Sequence, residues 1–586
     1  MNDDFKNSRS LLFADILRRQ IPYVDKSNFF PSFYVPSMFN PKFLARPRRF
    51  GKTLLLSSLN AFFSGRTNLF EGLGAEEFMK SSVFFPHPVI HLDMSAVKVV
   101  TSDTDISSTV LLKSKLINTL DKIAEMNGVS LVNPLFDDRF EELIEILALK
   151  SPDSKCVLLI DEYDSPVISL MQKERKLWDL KLIDDMRNIM RQFYSKIKVN
   201  EFFLGFTLIT GVTKFSKMGV FSELNSLIDL SLRPEYAALC GFTQKELEKY
   251  FVPFFSDLAK KNNMDVPTLL EALRNEYDGY SFDGLTRVYN PHSIVMCIES
   301  GAINNFWIKS GSNIYLRQFL LDKAAFSIDY DGMRIDNDFA SEPGELETTS
   351  PEGFLYQAGY LTIRQDDDGG LSLSYPNGEV RKSMSRLSTL AMMDNSVNTV
   401  EDYFSDLSKC LGSGDPGLVF QHIRSFFSKT NYQALFAVEY KFNNSPNSEP
   451  AVESRKRQPG ESTYQTILYK YLYNAGVLVE KEKSGNLGRS DLVVSFLGKI
   501  YVIELKMAGG GQDPKDVAKI GLEQIVKKNH GGQYKNPILM SIVLDNNLRN
   551  VVACCFAIGR HKGLSLADKS GQIESANLVD ANEKKS

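Results

Sequence analysis

Short apolar runs alternate with longer stretches of helical periodicity over the first 235 residues. Strand-like apolar runs lie at 43–45, 89–92, 157–160 and 202–209. Between them, apolar positions such as those of residues 182–197 recur every three or four residues, which is the spacing of one helix face. Strands that alternate with helices predict a parallel sheet covered by helices on both faces.

From residue 236 onward the pattern is mainly helical, with two interruptions. Thr243 and Glu246 have the spacing of a capping box, which predicts the start of a helix. Residues 354–364 and 371–375 flank a polar, glycine-containing turn and predict a β-hairpin. Residues 443–463 contain polar residues, Pro and Gly and indicate a linker or insertion.

Length and composition exclude several classes of protein. A chain of 586 residues is too long for one core and corresponds to about two to four domains. A hydrophobic content of 43% with 24% charged residues excludes a disordered chain and a fibre. Apolar runs are too short for a membrane span, the N-terminus is unlike a secretory signal, and the six scattered cysteines lack a CxxC pair. We therefore expect a cytoplasmic protein with reduced thiols and no membrane partner.

The first candidate site is a phosphate-binding loop. Gly51, Lys52 and Thr53 follow an apolar strand and precede a helix, where backbone N–H groups suit phosphate oxygens. Lys52 would reach the β- and γ-phosphates of a nucleotide, and the Thr53 hydroxyl would bind Mg²⁺. The full pattern places a glycine five residues before Gly51, whereas Arg46 stands there. A Gly-Lys-Thr triplet by itself is weak evidence.

Acidic residues at the end of a later strand strengthen the nucleotide hypothesis. The apolar run at 157–160 ends in Asp161 and Glu162, and the C-terminal ends of parallel strands are where such sheets bind ligands. Asp161 would hold Mg²⁺ through water, and Glu162 would polarise the attacking water. Thr210, at the end of a further strand, would sense the γ-phosphate. The alternatives are a strand that ends in solvated charges and, for Thr210, an ordinary turn.

The second candidate site lies in a predicted hairpin near the C-terminus. Residues 491–496 and 499–506 are strand-like and are separated by a Leu-Gly pair that suits a tight turn. With a two-residue turn, Asp491 lies opposite Glu504, and Lys506 shares a face with Glu504. The hairpin therefore predicts two carboxylates and a lysine at one place.

Such a group of charges suits a divalent cation. Carboxylate oxygens favour Mg²⁺ or Mn²⁺, which would activate water and stabilise a departing phosphodiester oxygen, while Lys506 orients the water or neutralises charge. Glu461 lies on one helical face with Gln465 and could be a further ligand beside Asp491 and Glu504. The alternative is an ordinary cross-strand ion pair at a sheet edge.

Six motifs along the chain resemble those of bacterial AAA-ATPase-like proteins that carry a C-terminal PD-(D/E)XK nuclease domain. In order, they are Tyr23-Val-Asp-Lys26, Arg46-Pro-Arg-Arg-Phe-Gly-Lys-Thr53, Leu159-Ile-Asp-Glu-Tyr-Asp164, Thr210-Gly-Val-Thr-Lys-Phe-Ser216, Cys240-Gly-Phe242 and Tyr277-Asp-Gly-Tyr280. The resemblance covers nearly the whole chain. It accounts for Arg46 as part of a variant loop, so Arg46 and Arg49 join the expected nucleotide-binding residues. It also implies that Gln524, in a helix-like stretch, belongs to the nuclease site.

The expected architecture is α/β: a P-loop NTPase parallel sheet with a helical lid and coupling region, plus a C-terminal α/β restriction-endonuclease-like domain. The expected segments are a P-loop AAA-like ATPase domain at 1–235, a helical lid at 236–345, a coupling region with a hairpin of winged-helix type at 346–442, a flexible linker at 443–460 and the PD-(D/E)XK nuclease domain at 461–586.

The expected function is ATP binding and hydrolysis coupled to Mg²⁺- or Mn²⁺-dependent cleavage of nucleic acid, DNA by default. Residues 451–586 hold 20 Lys and Arg against 14 Asp and Glu, and the preceding residues hold 48 against 58, so positive charge concentrates at the nuclease end. The alternative is a non-cleaving, ATP-dependent switch or scaffold whose nuclease-like domain only binds nucleic acid or protein. Charge and motifs leave RNA as a substrate, and a homo-oligomer, open.

Overall fold

The protein forms two compact units in a computed structural model. Unit 1 comprises residues 1–315 and 329–381, and unit 2 comprises residues 316–328 and 382–586. The structure describes residues 13–19, 21–34, 41–99, 107–172, 180–212, 227–307, 313–336, 339, 350–393, 400–435, 459–485, 488–528, 530, 533–558 and 577–580. Most of the predicted linker, and the end of the motif that begins at Thr210, lie outside these residues.

A five-stranded parallel sheet forms the centre of unit 1 and confirms the predicted architecture. Its strand order is β2-β3-β4-β1-β5, so the C-terminal ends of β3, β4 and β1 are neighbours. β3 is buried along its whole length, as expected for a strand covered on both faces. The strands are β1 Lys42–Ala45, β2 Val89–Asp93, β3 Cys156–Asp161, β4 Leu204–Gly211 and β5 Ile228–Asp229.

Seven helices accompany this sheet in the described part of the chain. In the helix predicted from residues 182–197, the periodic apolar side chains after Leu182 are buried, including Met186, Phe193 and Ile197. The helices are α1 Phe13–Arg18, α2 Lys52–Phe63, α3 Glu76–Met79, α4 Ser108–Met126, α5 Phe136–Ala148, α6 Ser165–Ile168 and α7 Leu180–Val199.

The following segment of unit 1 is mainly helical. The predicted capping box is confirmed: Thr243 Oγ1 accepts a hydrogen bond from Glu246 N, and Glu246 Oε2 accepts one from Thr243 N. Apolar faces of these helices share one buried cluster that includes Leu247, Leu273 and Ile294. The elements are α8 Gln244–Tyr250, α9 Val252–Lys261, α10 Val266–Tyr277, the short strands β6 Tyr280–Ser281 and β7 Arg287–Val288, and α11 Pro291–Ser300.

The predicted hairpin is part of a small antiparallel sheet with the order β8-β10-β9. Its start differs from the prediction, because residues 354–357 are helical. Ser350 Oγ accepts a hydrogen bond from Gly353 N and starts a helix whose first residue is a proline. The elements are α12 Asn313–Asp322, β8 Met333–Ile335, α13 Pro351–Gln357, β9 Thr362–Gln365, β10 Leu371–Ser374 and α14 Gly378–Met392.

A buried carboxyl group fastens the start of α14 to α11. Glu379 Oε1 accepts a hydrogen bond from Ser293 Oγ at 2.5 Å, and its Oε2 accepts one from Phe306 N at 3.2 Å. The side chain is fully buried. Burial raises the pKa of Glu379 from its usual 4.5 to about 7.

This raised pKa makes the stability of unit 1 depend on pH. The protonated carboxyl is favoured in the folded state, so its contribution is complete below about pH 4.5 and is lost as pH rises through about 7. The shift corresponds to about 3 kcal/mol between pH 4.5 and pH 8. We expect Glu379→Gln, which cannot ionise, to flatten the pH dependence of the free energy of unfolding.

Tryptophan fluorescence in urea can follow this effect, because the buried Trp307 belongs to unit 1. The exposed Glu271 on α10 provides the matched control, Glu271→Gln. Equal pH dependence in the wild type and in Glu379→Gln would contradict the prediction.

A six-stranded mixed sheet forms the centre of unit 2. Neighbouring strands run antiparallel except β13 and β14, which are parallel and are joined through a helix. The strands are β11 Leu478–Gly485, β12 Gly488–Phe496, β13 Lys499–Met507, β14 Ile538–Asp545, β15 Asn550–Ile558 and β16 Asn577–Asp580.

Four further helices belong to unit 2: α15 Val400–Ser413, α16 Pro416–Ser428, α17 Glu461–Asn474 and α18 Pro514–Lys527. The Phe426 and Tyr471 rings stack at 3.9 Å, and Tyr501 Oη donates to Leu411 O at 2.6 Å. Lys470 Nζ donates to Ile328 O at 3.0 Å, so residues 316–328 also belong here. The predicted segment boundaries themselves stay a prediction. Across the described ranges, no helix has the length and apolarity needed to span a bilayer.

Candidate functional site

The phosphate-binding loop runs from the end of β1 to the start of α2. Gly51 ends the loop with φ +87°, a left-handed conformation that L side chains rarely adopt. A Cβ atom on Gly51 would have no heavy atom within 4 Å, so the backbone conformation, not space, requires glycine. The N-terminus of the twelve-residue helix α2 follows directly and presents its first N–H groups to the loop.

Lys52 lies across this loop. Its side chain is buried, and Nζ donates hydrogen bonds to Arg46 O at 2.8 Å and Pro47 O at 3.0 Å. Burial lowers the pKa of Lys52, and the charge of Asp161 opposes that effect. The ammonium group therefore lies within the loop, in the electrostatic range of the acidic strand end.

Asp161, at the end of β3, joins three elements. Its Oδ2 accepts a hydrogen bond from Thr53 Oγ1 at 2.6 Å, and its Oδ1 accepts bonds from Thr210 Oγ1 at 2.7 Å and Glu162 N at 3.0 Å. Asp161 is only 2% exposed. The structure thus brings together three of the predicted nucleotide-site residues, and their carboxylate and hydroxyl oxygens are donors of the type that Mg²⁺ prefers.

Glu162 has a strained backbone and an accessible side chain. Its φ is +47°, unusual for a residue with a side chain, and the side chain is 36% exposed. Lys98 Nζ lies 3.8 Å from Glu162 Oε2, and Ser165 Oγ donates to the same oxygen at 3.4 Å. Lys98 follows β2 outside any motif, so no sequence pattern pointed to it.

The two loop arginines contact other parts of unit 1. The Arg46 guanidinium is buried, donates to Ser231 O at 2.7 Å and lies 3.8 Å from the ring centre of Phe282. Arg49 Nη1 lies 2.8 Å from His292 Nε2. Both guanidinium groups thus connect the loop to segments that follow the sheet in sequence. Their assignment to nucleotide binding stays a prediction.

The second site is built on the hairpin of β12 and β13. Phe496 pairs with Lys499 and Leu492 with Ile503, which confirms the predicted register. The turn residues Leu497 and Gly498 have φ +45° and +77°, as a tight type I′ turn requires. The paired residues end at Leu492 and Ile503, so Asp491 and Glu504 are the next residues on the two strands, at the end of the hairpin away from the turn.

The charged groups predicted for this site surround the C-terminal part of β13. Asp491 Oδ2 accepts a hydrogen bond from Leu505 N at 2.8 Å, and Glu461 Oε2 accepts one from Met507 N at 3.1 Å. Lys506 Nζ donates to Glu504 Oε1 at 3.0 Å. Burial raises the pKa of Glu461, with a smaller opposing effect of Lys506.

The charges also act on Lys506. Burial acts to lower its pKa, but the hydrogen bond to Glu504 and the negative charges of Glu504, Glu461 and Asp491 produce a net rise. Lys506 is therefore a cation that three carboxylates stabilise, and the four predicted charges form one electrostatic group.

A divalent cation fits this group by donor type. Glu504 is 3% exposed, and within the described structure its Oε2 atom has no hydrogen-bond partner, a costly state that a cation would relieve. Nevertheless, among the described residues no three Asp, Glu, His or Cys side chains are grouped closely enough to hold a metal as they stand. Asp491 and Glu461 face backbone N–H groups, so they would have to turn toward Glu504 to share a cation.

Helix α18 covers the same part of the sheet at very short range. A Cβ atom on Gly521 would lie 2.1 Å from Ser541 Oγ and 3.2 Å from Lys506 Cγ. Ser541 pairs with Glu504 in the parallel register of β13 and β14. Gln524 lies half-buried one helical turn further on, and within the described residues its side chain makes no hydrogen bond to the four charged groups.

We expect Gly521→Ala to push α18 away from Lys506 and to lower the free energy of unfolding by about 1–3 kcal/mol. Ser541→Ala removes the hydroxyl that clashes, and should therefore restore part of the loss in the double variant. Thermal unfolding followed by circular dichroism measures both effects. Gly510→Ala is the matched control, because a Cβ atom there meets nothing within 4 Å. An unchanged midpoint in Gly521→Ala would show that the helix adapts freely.

Comparisons with known proteins agree with this resemblance in both domains. Residues 11–221 match the family model described as "Predicted AAA-ATPase", and residues 459–553 match the PD-(D/E)XK nuclease superfamily model. An uncharacterised protein from the region 5′ of vnfD in Azotobacter chroococcum mcd 1 is 27% identical over 545 residues, covering 90% of this chain and 94% of that protein. The chain thus combines an ATPase-like and a nuclease-like domain in an α/β fold, as the motifs predict.

Proposed function

We propose that this protein is an ATP-binding and ATP-hydrolysing enzyme that cleaves DNA with Mg²⁺ or Mn²⁺ under the control of the bound nucleotide. The observation that most supports the nuclease assignment is the group of charges at the end of the hairpin, where Lys506 donates to Glu504 and Asp491 accepts from Leu505 N, inside the segment that matches the nuclease superfamily. All six cysteines are free thiols, which supports the expected cytoplasmic location.

In the nucleotide site, the residues of unit 1 have separate roles. Gly51 and the first turn of α2 would bind phosphate oxygens through backbone N–H groups, and Lys52 would exchange its two carbonyl partners for phosphate. Thr53 and Asp161 would hold Mg²⁺, which neutralises phosphate charge when bound. Glu162 would orient the attacking water, and Thr210 would report the γ-phosphate through its hydrogen bond to Asp161.

In the nuclease site, Glu504, Asp491 and Glu461 would hold the divalent cation, which activates water and stabilises the leaving oxygen when bound. Lys506 would fix the water or the scissile phosphate by its charge. Gln524 on α18 would position the substrate at the same edge. Each carboxylate has one oxygen engaged by a neighbour, which limits its motion before the substrate binds.

A cleavage assay tests this proposal directly. Single- and double-stranded DNA and RNA are incubated with the full chain and Mg²⁺ or Mn²⁺, with and without ATP. We expect cleavage of DNA that requires the metal and changes with ATP. Absence of cleavage under every condition would overturn the nuclease assignment.

The orientation of the carboxylates favours one alternative. Because Asp491 and Glu461 are turned to backbone N–H groups, a non-cleaving protein that uses ATP as a switch and only binds nucleic acid or protein fits the same geometry. Metal titration separates the two functions. A cleaving enzyme binds Mn²⁺ at unit 2 with an affinity that Glu504→Gln lowers, whereas the switch or scaffold shows no such dependence.

A further inference from the structure

The motif Tyr277–Tyr280 has no role in either site described above. In it, the chain leaves α10 and turns toward the segment that follows β10. Gly279 has φ +101°, and a Cβ atom there would lie only 2.2 Å from Pro376 O. Asp278 is buried beside this contact and is 8% exposed at its side chain. The motif therefore joins two segments of unit 1 around one acidic side chain.

Four arginines surround this junction, and we name them the arginine cluster: Arg274, Arg287, Arg364 and Arg381. Arg287 Nε lies 3.6 Å from Asp278 Oδ2, and the charges of Arg274 and Arg364 also act on Asp278. Arg364 Nη2 donates to Pro376 O at 3.3 Å.

The fourth arginine closes the cluster on the side of α14. Arg381 Nη2 lies 2.5 Å from Asp331 Oδ2, and its guanidinium carbon lies 4.9 Å from the ring centre of Tyr375. The charges of Arg287 and Arg381, and those of Asp278 and Asp331, act on Arg364. The cluster is thus continuous across four elements of the fold: α10, β7, β9 and α14.

Among the described residues of this cluster, positive charge exceeds negative charge. Four guanidinium groups face the two carboxylates that form these ion pairs. The pKa of Arg364 is lowered by burial and then by repulsion from Arg287, so the arginines are held at an electrostatic cost. The side chains of Arg287 and Arg381 are 50% and 43% exposed, and Arg274 is exposed. An anion from solution can therefore reach them and relieve the repulsion.

We propose that the arginine cluster binds the phosphodiester backbone of nucleic acid. Guanidinium groups bind phosphate through paired N–H donors, and several such groups on an open surface suit the successive phosphates of a polymer. The contacts involve charge and not base edges, so the site is independent of sequence. The inference rests on the proposed function in one respect: the bound polymer is taken to be the substrate of the nuclease site.

Fluorescence anisotropy of a labelled 20-base-pair DNA duplex tests the proposal, with full-length protein in EDTA so that no cleavage occurs. We expect Arg287→Gln/Arg381→Gln to weaken binding and to reduce the slope of log affinity against log salt by about 2. The matched control is Lys245→Gln/Lys260→Gln, which removes two exposed lysines of the same unit and should leave the slope unchanged.

A variant that is expected to raise the affinity for the duplex distinguishes a loss of binding from a loss of folding. Asp331→Asn removes the acidic partner of Arg381 but keeps an oxygen that can accept from Tyr375 N, and it should tighten duplex binding. Unfolding cannot produce opposite changes in the two variants. A competition arm with inorganic phosphate at matched ionic strength separates a polymer site from a site for free phosphate, which would compete at low millimolar concentration.

Each outcome bears on a defined statement. Absent duplex binding in the wild type, equal affinity and salt slope in Arg287→Gln/Arg381→Gln, or binding of inorganic phosphate alone would overturn the arginine cluster as a nucleic-acid site. Cleavage that persists with such results leaves the proposed nuclease function intact. Charge-dependent binding without any cleavage would instead overturn the nuclease function and leave the cluster as a binding surface.

Discussion

Lys506→Ala is expected to reduce metal-dependent cleavage of nucleic acid by about 100- to 1,000-fold while leaving ATP binding intact. Among the described residues, Lys506 is the cation that bonds to Glu504, and the three surrounding carboxylates hold its ammonium group charged. Its removal leaves Glu504 buried without a compensating charge. Removal of one group that stabilises the charge formed in the transition state lowers the rate of the reaction by about 100- to 1,000-fold. Single-turnover cleavage with Mg²⁺ and Mn²⁺ measures the effect.

Folding needs a separate control, because an uncompensated buried carboxylate destabilises a protein. Asp491→Asn is nearly isosteric and can still accept the hydrogen bond of Leu505 N, so it should lose cleavage while retaining its unfolding midpoint. Lys519→Ala removes an exposed lysine of α18 and should retain full activity. Wild-type cleavage rates in both Lys506→Ala and Asp491→Asn would refute the site assignment.

Lys52→Ala is expected to weaken ATP binding by about 10- to 100-fold, since hydrogen bonds to charged groups contribute about 1.5–3 kcal/mol. The lysine is buried within the loop and donates to two backbone carbonyls, an arrangement that a phosphate group can replace. Isothermal titration with ATP and Mg²⁺ gives the affinity. The same variant should lose ATP hydrolysis.

The matched control for Lys52 is Lys80→Ala, which removes an exposed lysine of the same unit that pairs with Glu76. Affinity for ATP should stay at the wild-type value in this variant. Thr53→Ala tests the expected metal ligand separately. This variant should lower the affinity for ATP in the presence of Mg²⁺ more than the affinity for ATP without Mg²⁺. If Lys52→Ala binds ATP as the wild type does, the loop does not hold phosphate through this lysine.

The hairpin of unit 2 was fully predictable because its register depends on local chemistry. Gly498 readily supplies one of the two positive φ angles of a two-residue turn, and Leu497 adopts the other although residues with side chains rarely do so. Once the turn is fixed, the pairings from Phe496 with Lys499 to Leu492 with Ile503 follow, and Asp491 and Glu504 are the next residues along the two strands. The parallel sheet of unit 1 was equally accessible, since continuous apolar runs separated by helices have few other solutions.

The orientation of long polar side chains was not predictable in the same way. Arg46 stands in the phosphate-loop motif, yet its guanidinium contacts Ser231, Tyr236 and Phe282, which are about 190 to 240 positions away in sequence. Lys98 likewise reaches Glu162 from a separate strand end. Such contacts depend on tertiary packing that no local pattern encodes.

At helix α13, the helix-start signal of Ser350 and Pro351 outweighs the strand propensity of the residues that follow. Apolar and β-branched residues between 354 and 364 favoured one long strand, but Ser350 and Pro351 provide a side-chain cap and a preset φ at a helix start. The capping signal decided the first half of this stretch, and strand propensity decided the second half, from Thr362 onward.

The route of the chain between the two units constrains how this gene can change. Residues 316–328 and 382–435 precede the nuclease-like segment but complete its unit, through contacts such as those of Tyr471 and Tyr501. A recombination breakpoint near residue 460 would therefore transfer only part of unit 2. Aromatic side chains that pack against the missing part, such as Tyr471, would then be exposed to solvent. We expect relatives that lose cleavage to carry point substitutions at the site and to keep the full length of the chain.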